Sequence, residues 1–152
     1  MDVELRNVQP DEFDDFFELF AAYHDELGPY DPIDPQPRPI EPYRRAFAED
    51  PEGQRVRWIL ADGVRAGFLI TCITPDWPEE ERLVGEVIES YVVPDERRRG
   101  VAEAAVGIWL EELREAGVQL AEANVLRDNP LGLAFWEAQG FIVRSLQTAR
   151  RP

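Results

Sequence analysis

The chain contains no lysine; all 16 of its basic residues are arginine. Cysteine and histidine each occur once, as Cys72 and His24, among 152 residues. A lone cysteine excludes an internal disulfide framework, and a lone histidine leaves a zinc site short of its usual donors. No apolar run approaches the ~20 residues that span a bilayer. The opening residues, Met1-Asp2-Val3-Glu4, are acidic where a secretory or transit segment is basic. The expectation from these absences is a cytoplasmic protein without a metal and without a membrane partner.

Positive charge is scarce overall. The 31 acidic residues against 16 arginines give a formal charge of −15. Phosphate backbones need Lys and Arg for neutralisation, so nucleic acid is excluded as a general partner. A field of this sign draws cationic small molecules, and the same charge also serves solubility alone. The exclusive use of arginine carries no functional reading.

Hydrophobic residues make up 44% of the chain and aromatics 11%, which suits a folded core rather than a disordered segment. The length fits one domain over residues 1–152, with 147–152 as a fraying tail. The stretch from Val3 to Val8 alternates like a strand. Pro10-Asp11 opens a helix in which Phe13, Phe16, Phe17, Phe20 and Tyr23 form one apolar face, closed by Gly28-Pro29. Such a stripe reads as core rather than as a cofactor cage. Pro29, Pro32, Pro35, Pro37, Pro39 and Pro42 stiffen the loop that follows, and a short helix covers Tyr43 to Glu49. Arg55–Ala61 and Ala66–Ile73 read as strands joined by an Asp62-Gly63 hairpin turn. A polar loop from Thr74 to Arg82 leads to a strand over Leu83–Val93. A helix over Arg98–Ala116 then stops at Gly117. The rest reads as a strand over Val118–Val125, a short helix from Asn129-Pro130 to Gly140, and a last strand over Phe141–Leu146. This order makes a mixed α/β sheet with a parallel pair around the long helix.

The most informative stretch runs from Tyr91 to Ala102: Tyr-Val-Val-Pro-Asp-Glu-Arg-Arg-Arg-Gly-Val-Ala. An apolar strand gives way to a Pro-marked turn and a basic, glycine-containing loop that opens onto a helix. Loop amides and the positive end of the helix dipole then face one point, which is how a chain builds an anion pocket. Gly100 permits close approach of a phosphate, and Ala102 keeps the first helical turn slim.

Arg97-x-x-Gly100-x-Ala102 resembles the Gln/Arg-x-x-Gly-x-Gly/Ala signature of the GNAT superfamily of N-acetyltransferases. Downstream, Asn129-Pro130-Leu131-Gly132-Leu133-Ala134-Phe135-Trp136 and the following Gly140-Phe141 are similar to that family's second block, in order and spacing. The resemblance spans roughly residues 1–147. It implies a mixed, mostly antiparallel sheet of six to seven strands with a splayed parallel pair, flanked by about four helices. It implies acetyl-coenzyme A as co-substrate, with Tyr91, Val92 and Val93 along the pantetheine arm and a backbone N–H near Val92 serving the thioester oxygen. The residues Arg97, Arg98, Arg99, Gly100, Val101, Ala102 and Glu103 would then hold the pyrophosphate. Asn129 matches a cofactor-contacting Asn, and is also a generic helix start. Glu89 resembles the acidic position that some members use as a base, and the bland alternative is a solvated strand carboxylate. Glu86 and Glu89 stand three apart, so simple alternation places them on opposite faces.

Trp136 departs from the family pattern. The usual Tyr there protonates the departing thiolate, and an indole cannot. A thiol of pKa near 8.5 leaves tolerably without help, and Tyr23, Tyr30, Tyr91 and solvent are other donors. Trp136 would still wall the thioester pocket. His24 reads as a surface or helix-end residue before a catalytic one, and Cys72 as inert core. Asp31 and Asp34, in the loop where the family shapes its acceptor pocket, read equally as ammonium ligands and as turn formers. The implied reaction is acetyl transfer to a primary amine of a small, cationic acceptor by direct attack in a ternary complex, with a homodimer as the implied assembly. A non-catalytic acyl-coenzyme A-binding module and an enzyme of protein or peptide amines are the alternatives.

Overall fold

Asp62 and Gly63, between two stretches rich in β-branched and aromatic residues, both take positive φ (50° and 80°). That is the geometry of a primed hairpin turn, and it sets the register outward from Ala61↔Val64. In the computed structural model, which describes residues 1–49 and 54–152, the flanking segments are β2 (Gln54–Ala61) and β3 (Val64–Asp76). They belong to a five-stranded sheet of order β1-β2-β3-β4-β5, with β1 at Val3–Asn7, β4 at Glu79–Val92 and β5 at Leu120–Ala123. The first four strands are antiparallel, and β5 lies parallel to β4 after a crossover through helix α3 (Val101–Glu115). The helices before and after are α1 (Phe13–Leu27), α2 (Glu41–Ala48) and α4 (Pro130–Ala138).

Three expectations are corrected. The polar segment Thr74–Arg82 is not a loop: β3 and β4 both continue through it and turn tightly at Trp77-Pro78, where Asp76 pairs with Glu79. A projecting hairpin satisfies its own backbone, so polar side chains on it carry no loop signal. Among the described residues the sheet has five strands rather than six or seven, because Phe141–Leu146 forms none. Ile142, Val143 and Leu146 are 86%, 72% and 78% exposed, and strand propensity without a partner edge and burial does not make a strand. The long helix begins at Val101 and not at Arg98, since Arg98 (φ 59°) and Gly100 (φ 81°) lie outside helical space.

Residue contacts divide the chain into two compact units, Met1–Phe13 with Glu49–Asn124 and Asp14–Ala48 with Val125–Pro152. In the first, Val101, Ala105, Val106, Trp109 and Leu113 line the buried side of α3, which packs against β1, β2 and β4. Each large side chain so buried contributes about 1.5–3 kcal/mol. Gly85 on β4 leaves room for the helix: a Cβ there would lie 2.6 Å from the Leu113 methyls. Arg57, only 3% exposed, crosses from β2 to Glu112 on α3 at 2.7 Å.

The second unit is built on rings. Phe16, Phe17, Phe20, Tyr23 and His24 are buried on α1, at the spacing that gathers one helical face. Tyr43 and Phe47, one turn apart on α2, meet them: Phe17 stacks on Phe47 at 5.7 Å and Phe20 meets Tyr43 edge-on at 5.0 Å. Arg44 lies 4.6 Å over the Phe17 ring and reaches Asp14 at 2.7 Å. At the tail, Arg151 bonds the Ile33 carbonyl and the Asp34 carboxylate. No helix among the described residues is long and apolar enough to cross a membrane.

Glu12 ties the start of the chain to the sheet. Its carboxylate accepts from Arg6 at 2.9 Å, Arg65 at 2.6 Å, the Trp58 indole at 3.1 Å and the Gln9 amide at 2.9 Å. The Arg6 bond first, then the Gln9 amide, hold its carboxyl at about 2, against an ordinary 4.5. A depressed carboxyl stabilises the fold above its unfolded value and ceases to as pH falls through the folded one. Glu12→Gln is therefore expected to lower the melting temperature at pH 7, with the gap to wild type closing as pH falls from 4.5 to about 2. Thermal melts across that range check it.

Candidate active site at the end of the fourth strand

Strand β4 is paired on both sides for only part of its length. Its ladder with β5 runs from Val84↔Leu120 to Val87↔Ala123 and ends there. With β3 it continues through Glu89↔Ile70, Ser90↔Leu69 and Tyr91↔Phe68 to Val92↔Gly67. The register passes directly from Val87↔Thr71 to Glu89↔Ile70, so Ile88 is an extra residue, a β-bulge one step beyond the last β5 rung. Contact with β3 is close at the far end: a Cβ on Gly67 would lie 2.0 Å from the Tyr91 carbonyl oxygen.

The bulge changes which side chains share a face. Glu86 lies opposite Cys72, Glu89 opposite Ile70 and Tyr91 opposite Phe68. Phe68, Ile70 and Cys72 alternate along β3 and so share one face. Glu86, Glu89 and Tyr91 therefore stand together, which overturns the expectation from simple alternation. All three are half-buried. Val93 N–H donates to Ala66 on β3 at 2.9 Å, so by alternation the Val92 N–H points to the opposite edge, beyond the reach of the β5 ladder.

The turn that follows is held by its own residues. Glu96 N–H donates to Val93 and Arg97 N–H to Pro94, at 3.0 and 3.2 Å. The Arg97 Nε donates to the Val92 carbonyl at 2.8 Å and the guanidinium lies 5.2 Å over the Tyr91 ring. Arg99 pairs with Glu96, whereas Arg98 is exposed on a left-handed backbone. Gly100, also left-handed, is the N-cap of α3 and brings no side-chain cap, so the first-turn amides of Val101, Ala102 and Glu103 have no side-chain acceptor among the described residues. Left-handed residues leading into amides at a positive dipole end form a concave donor set suited to an anion. Val101 is buried, Ala102 half-buried and Glu103 exposed. Thus Glu89, Tyr91, Val92, Val93 and Arg97 to Glu103 occupy one continuous strand-turn-helix.

Asn129 and Trp136 belong to the second unit. Asn129 is the N-cap of α4, its Oδ1 accepting from Gly132 N–H at 3.0 Å, which leaves the Nδ2 donor. A Cβ on Gly132 would lie 2.8 Å from Nδ2, so a larger residue there would shift the Asn129 side chain. Trp136 is 8% exposed and meets Phe135 and Phe141 edge-on at 5.1 and 4.9 Å. Asp31 accepts from the Ile33 and Asp34 amides at 2.9 and 3.0 Å, so it is a turn former. His24 is not at the surface: it is 7% exposed among Phe20, Tyr23 and Tyr43, and its Nε2 has no partner among the described residues. Burial first, then the Arg38 charge, pushes its pKa down, against the pull of Asp25. Cys72 is half-buried, its thiol pushed up by burial and by Glu86. One residue near the site gave no sequence signal: Asn124, just past β5, donates from Nδ2 to the Glu86 carboxylate.

The uncapped start of α3 offers donors to an anion, and the strand edge beyond Val87 offers backbone groups to an extended chain. The chain belongs to the acetyltransferase (GNAT) family, whose pattern it matches over residues 13–141. It is 29% identical to an uncharacterized N-acetyltransferase of Archaeoglobus fulgidus, covering 90% of this chain and 91% of that protein. It is 31% identical to the mycothiol acetyltransferase of Sanguibacter keddieii over 91% of this chain, which spans 43% of that longer protein. The solved structure of aminoglycoside N-acetyltransferase AAC(6')-Iy in complex with CoA has the same fold, with a TM-score of 0.72 at 18% identity, over 99% of this chain and 95% of that one.

Two outcomes follow from the local geometry. Gly100→Ala places a Cβ at φ 81°, a left-handed cost of about 1–2 kcal/mol, with no compensating contact nearer than the Met1 methyl at 3.8 Å. Urea denaturation should show a loss of that order. For His24, the unfolded chain takes up a proton more readily than the folded one, so stability falls as pH drops through 6.5. His24→Phe should flatten the stability–pH curve between pH 7 and 5, read from the same titrations.

Proposed function

We propose that the chain transfers an acetyl group from acetyl-CoA to a primary amine of a small-molecule acceptor by direct attack in a ternary complex. The observation that carries this reading is the uncapped start of α3 next to a β4 edge that β5 leaves open beyond Val87. The amides of Val101 to Glu103, with the exposed Arg98, suit a pyrophosphate. The open edge along Tyr91 to Val93 suits a pantetheine arm added as a strand adds to a sheet. The outward Val92 N–H suits the thioester oxygen as it gains charge. Arg97 serves the turn, through the Val92 carbonyl and the Tyr91 ring, before it serves any phosphate.

Glu89, on the same face as Tyr91, is the base that takes the ammonium proton, directly or through water. Coenzyme A leaves as the thiolate, since a thiol of ordinary acidity departs without a proton donor. The net charge of −15 favours a cationic acceptor, and the relative named mycothiol acetyltransferase supports a small molecule.

Acetyl-CoA should bind the purified chain in calorimetry, and a panel of primary amines should release free coenzyme A thiol. Binding without release from any amine would leave a non-catalytic module. Glu89→Gln should lower the rate about 10²–10⁴-fold below neutral pH and less at high pH, where free amine is abundant. An unchanged pH–rate profile would remove Glu89 from the reaction.

A further inference from the structure

The parallel ladder that precedes the open edge is short, and an amide side chain closes it at each end. At its start Gln119 makes two bonds to one residue: its N–H donates to the Leu83 carbonyl at 3.2 Å and its Oε1 accepts from the Leu83 N–H at 2.9 Å. Four rungs follow, Val84↔Leu120 to Val87↔Ala123. Immediately beyond, Asn124 turns back and its Nδ2 donates to the Glu86 carboxylate. On the β4 side the matching position is the bulge at Ile88.

Slanted parallel bonds are slightly weaker per residue than antiparallel ones, which leaves four rungs little reserve. The Asn124 bond adds one link to β4 at the end where the two strands part.

We propose that Asn124 and Glu86 form a tether that fixes where β4 and β5 part, and so set the mouth of the cleft that receives the thioester. This rests on the reading that the coenzyme's acyl arm enters beside Tyr91–Val93. Without the tether the Val87↔Ala123 rung opens and the mouth retreats by one residue, about 3.3 Å. Both are positioning residues: they act through the strands and not on the acceptor proton.

Hydrogen–deuterium exchange on the ligand-free chain reads the tether itself. Asn124→Ala and Glu86→Ala should both exchange faster than wild type over residues 120–123, with the double variant no faster than either single one. Glu86→Gln, whose amide oxygen accepts the same bond, should keep more protection than Glu86→Ala. In calorimetry, Asn124→Ala should weaken acetyl-CoA about tenfold, the worth of one hydrogen bond to a charged group, while Glu86→Gln retains more affinity than Glu86→Ala. Wild-type exchange in Asn124→Ala overturns the tether. Glu86→Gln as impaired as Glu86→Ala, beside a normal Asn124→Ala, overturns it in favour of a direct role for the carboxylate. A wild-type chain that binds no acetyl-CoA removes the functional reading and the cleft with it, while exchange still decides whether the tether exists.

Discussion

The arrangement depends on a missing row of hydrogen bonds. β5 accompanies β4 for four residues and then departs, while β4 runs on to Val92 against β3. A strand edge unaccompanied in the interior of a sheet is a liability unless something is meant to occupy it. Everything placed around it follows from that gap. The bulge at Ile88 re-aims the chain, the turn at Pro94 ends it, and the α3 dipole points its positive end toward the same turn. Family membership and the geometry agree here, although they come from unrelated observations: one from a pattern of residues, the other from where pairing stops.

Much of the first unit was legible because its signals are local. Asp62-Gly63 announces its hairpin by backbone conformation, and the apolar runs of β2 and β3 are buried continuously over residues 57–61 and 66–71. The strand, turn and helix around Gly100 were legible for the same reason, since their residues are contiguous. What escaped was nonlocal. A bulge exists only relative to a partner strand, so no property of Ile88 by itself could show that Glu86 and Glu89 share a face. The link from Asn124 to Glu86 joins residues 38 apart in sequence, and neither belongs to a recognisable motif.

Errors of the opposite kind came from trusting propensity. Phe141–Leu146 has the composition of a strand, yet Ile142, Val143 and Leu146 stand exposed and unpaired with any strand of the sheet. Thr74–Arg82 has the composition of a loop, yet all of it but Trp77-Pro78 lies in β3 and β4. In both, hydrogen-bond partners decide the outcome and side-chain chemistry does not. His24 is a related case: a polar residue near a helix end belongs at the surface by habit, but the period of α1 carries it inward between aromatic rings.

Arg97 shows why the chain's choice of cation matters at one position at least. Its flat head must offer one edge to the Val92 carbonyl while its π-surface lies over the phenol of Tyr91. A lysine ammonium is a compact point charge without an edge or a plane, and could do one of these but not both together. The last peptide of β4 is thereby oriented by a residue that the motif suggested for an anion, so a conservative swap of cation at this place would loosen the strand end before it altered any charge.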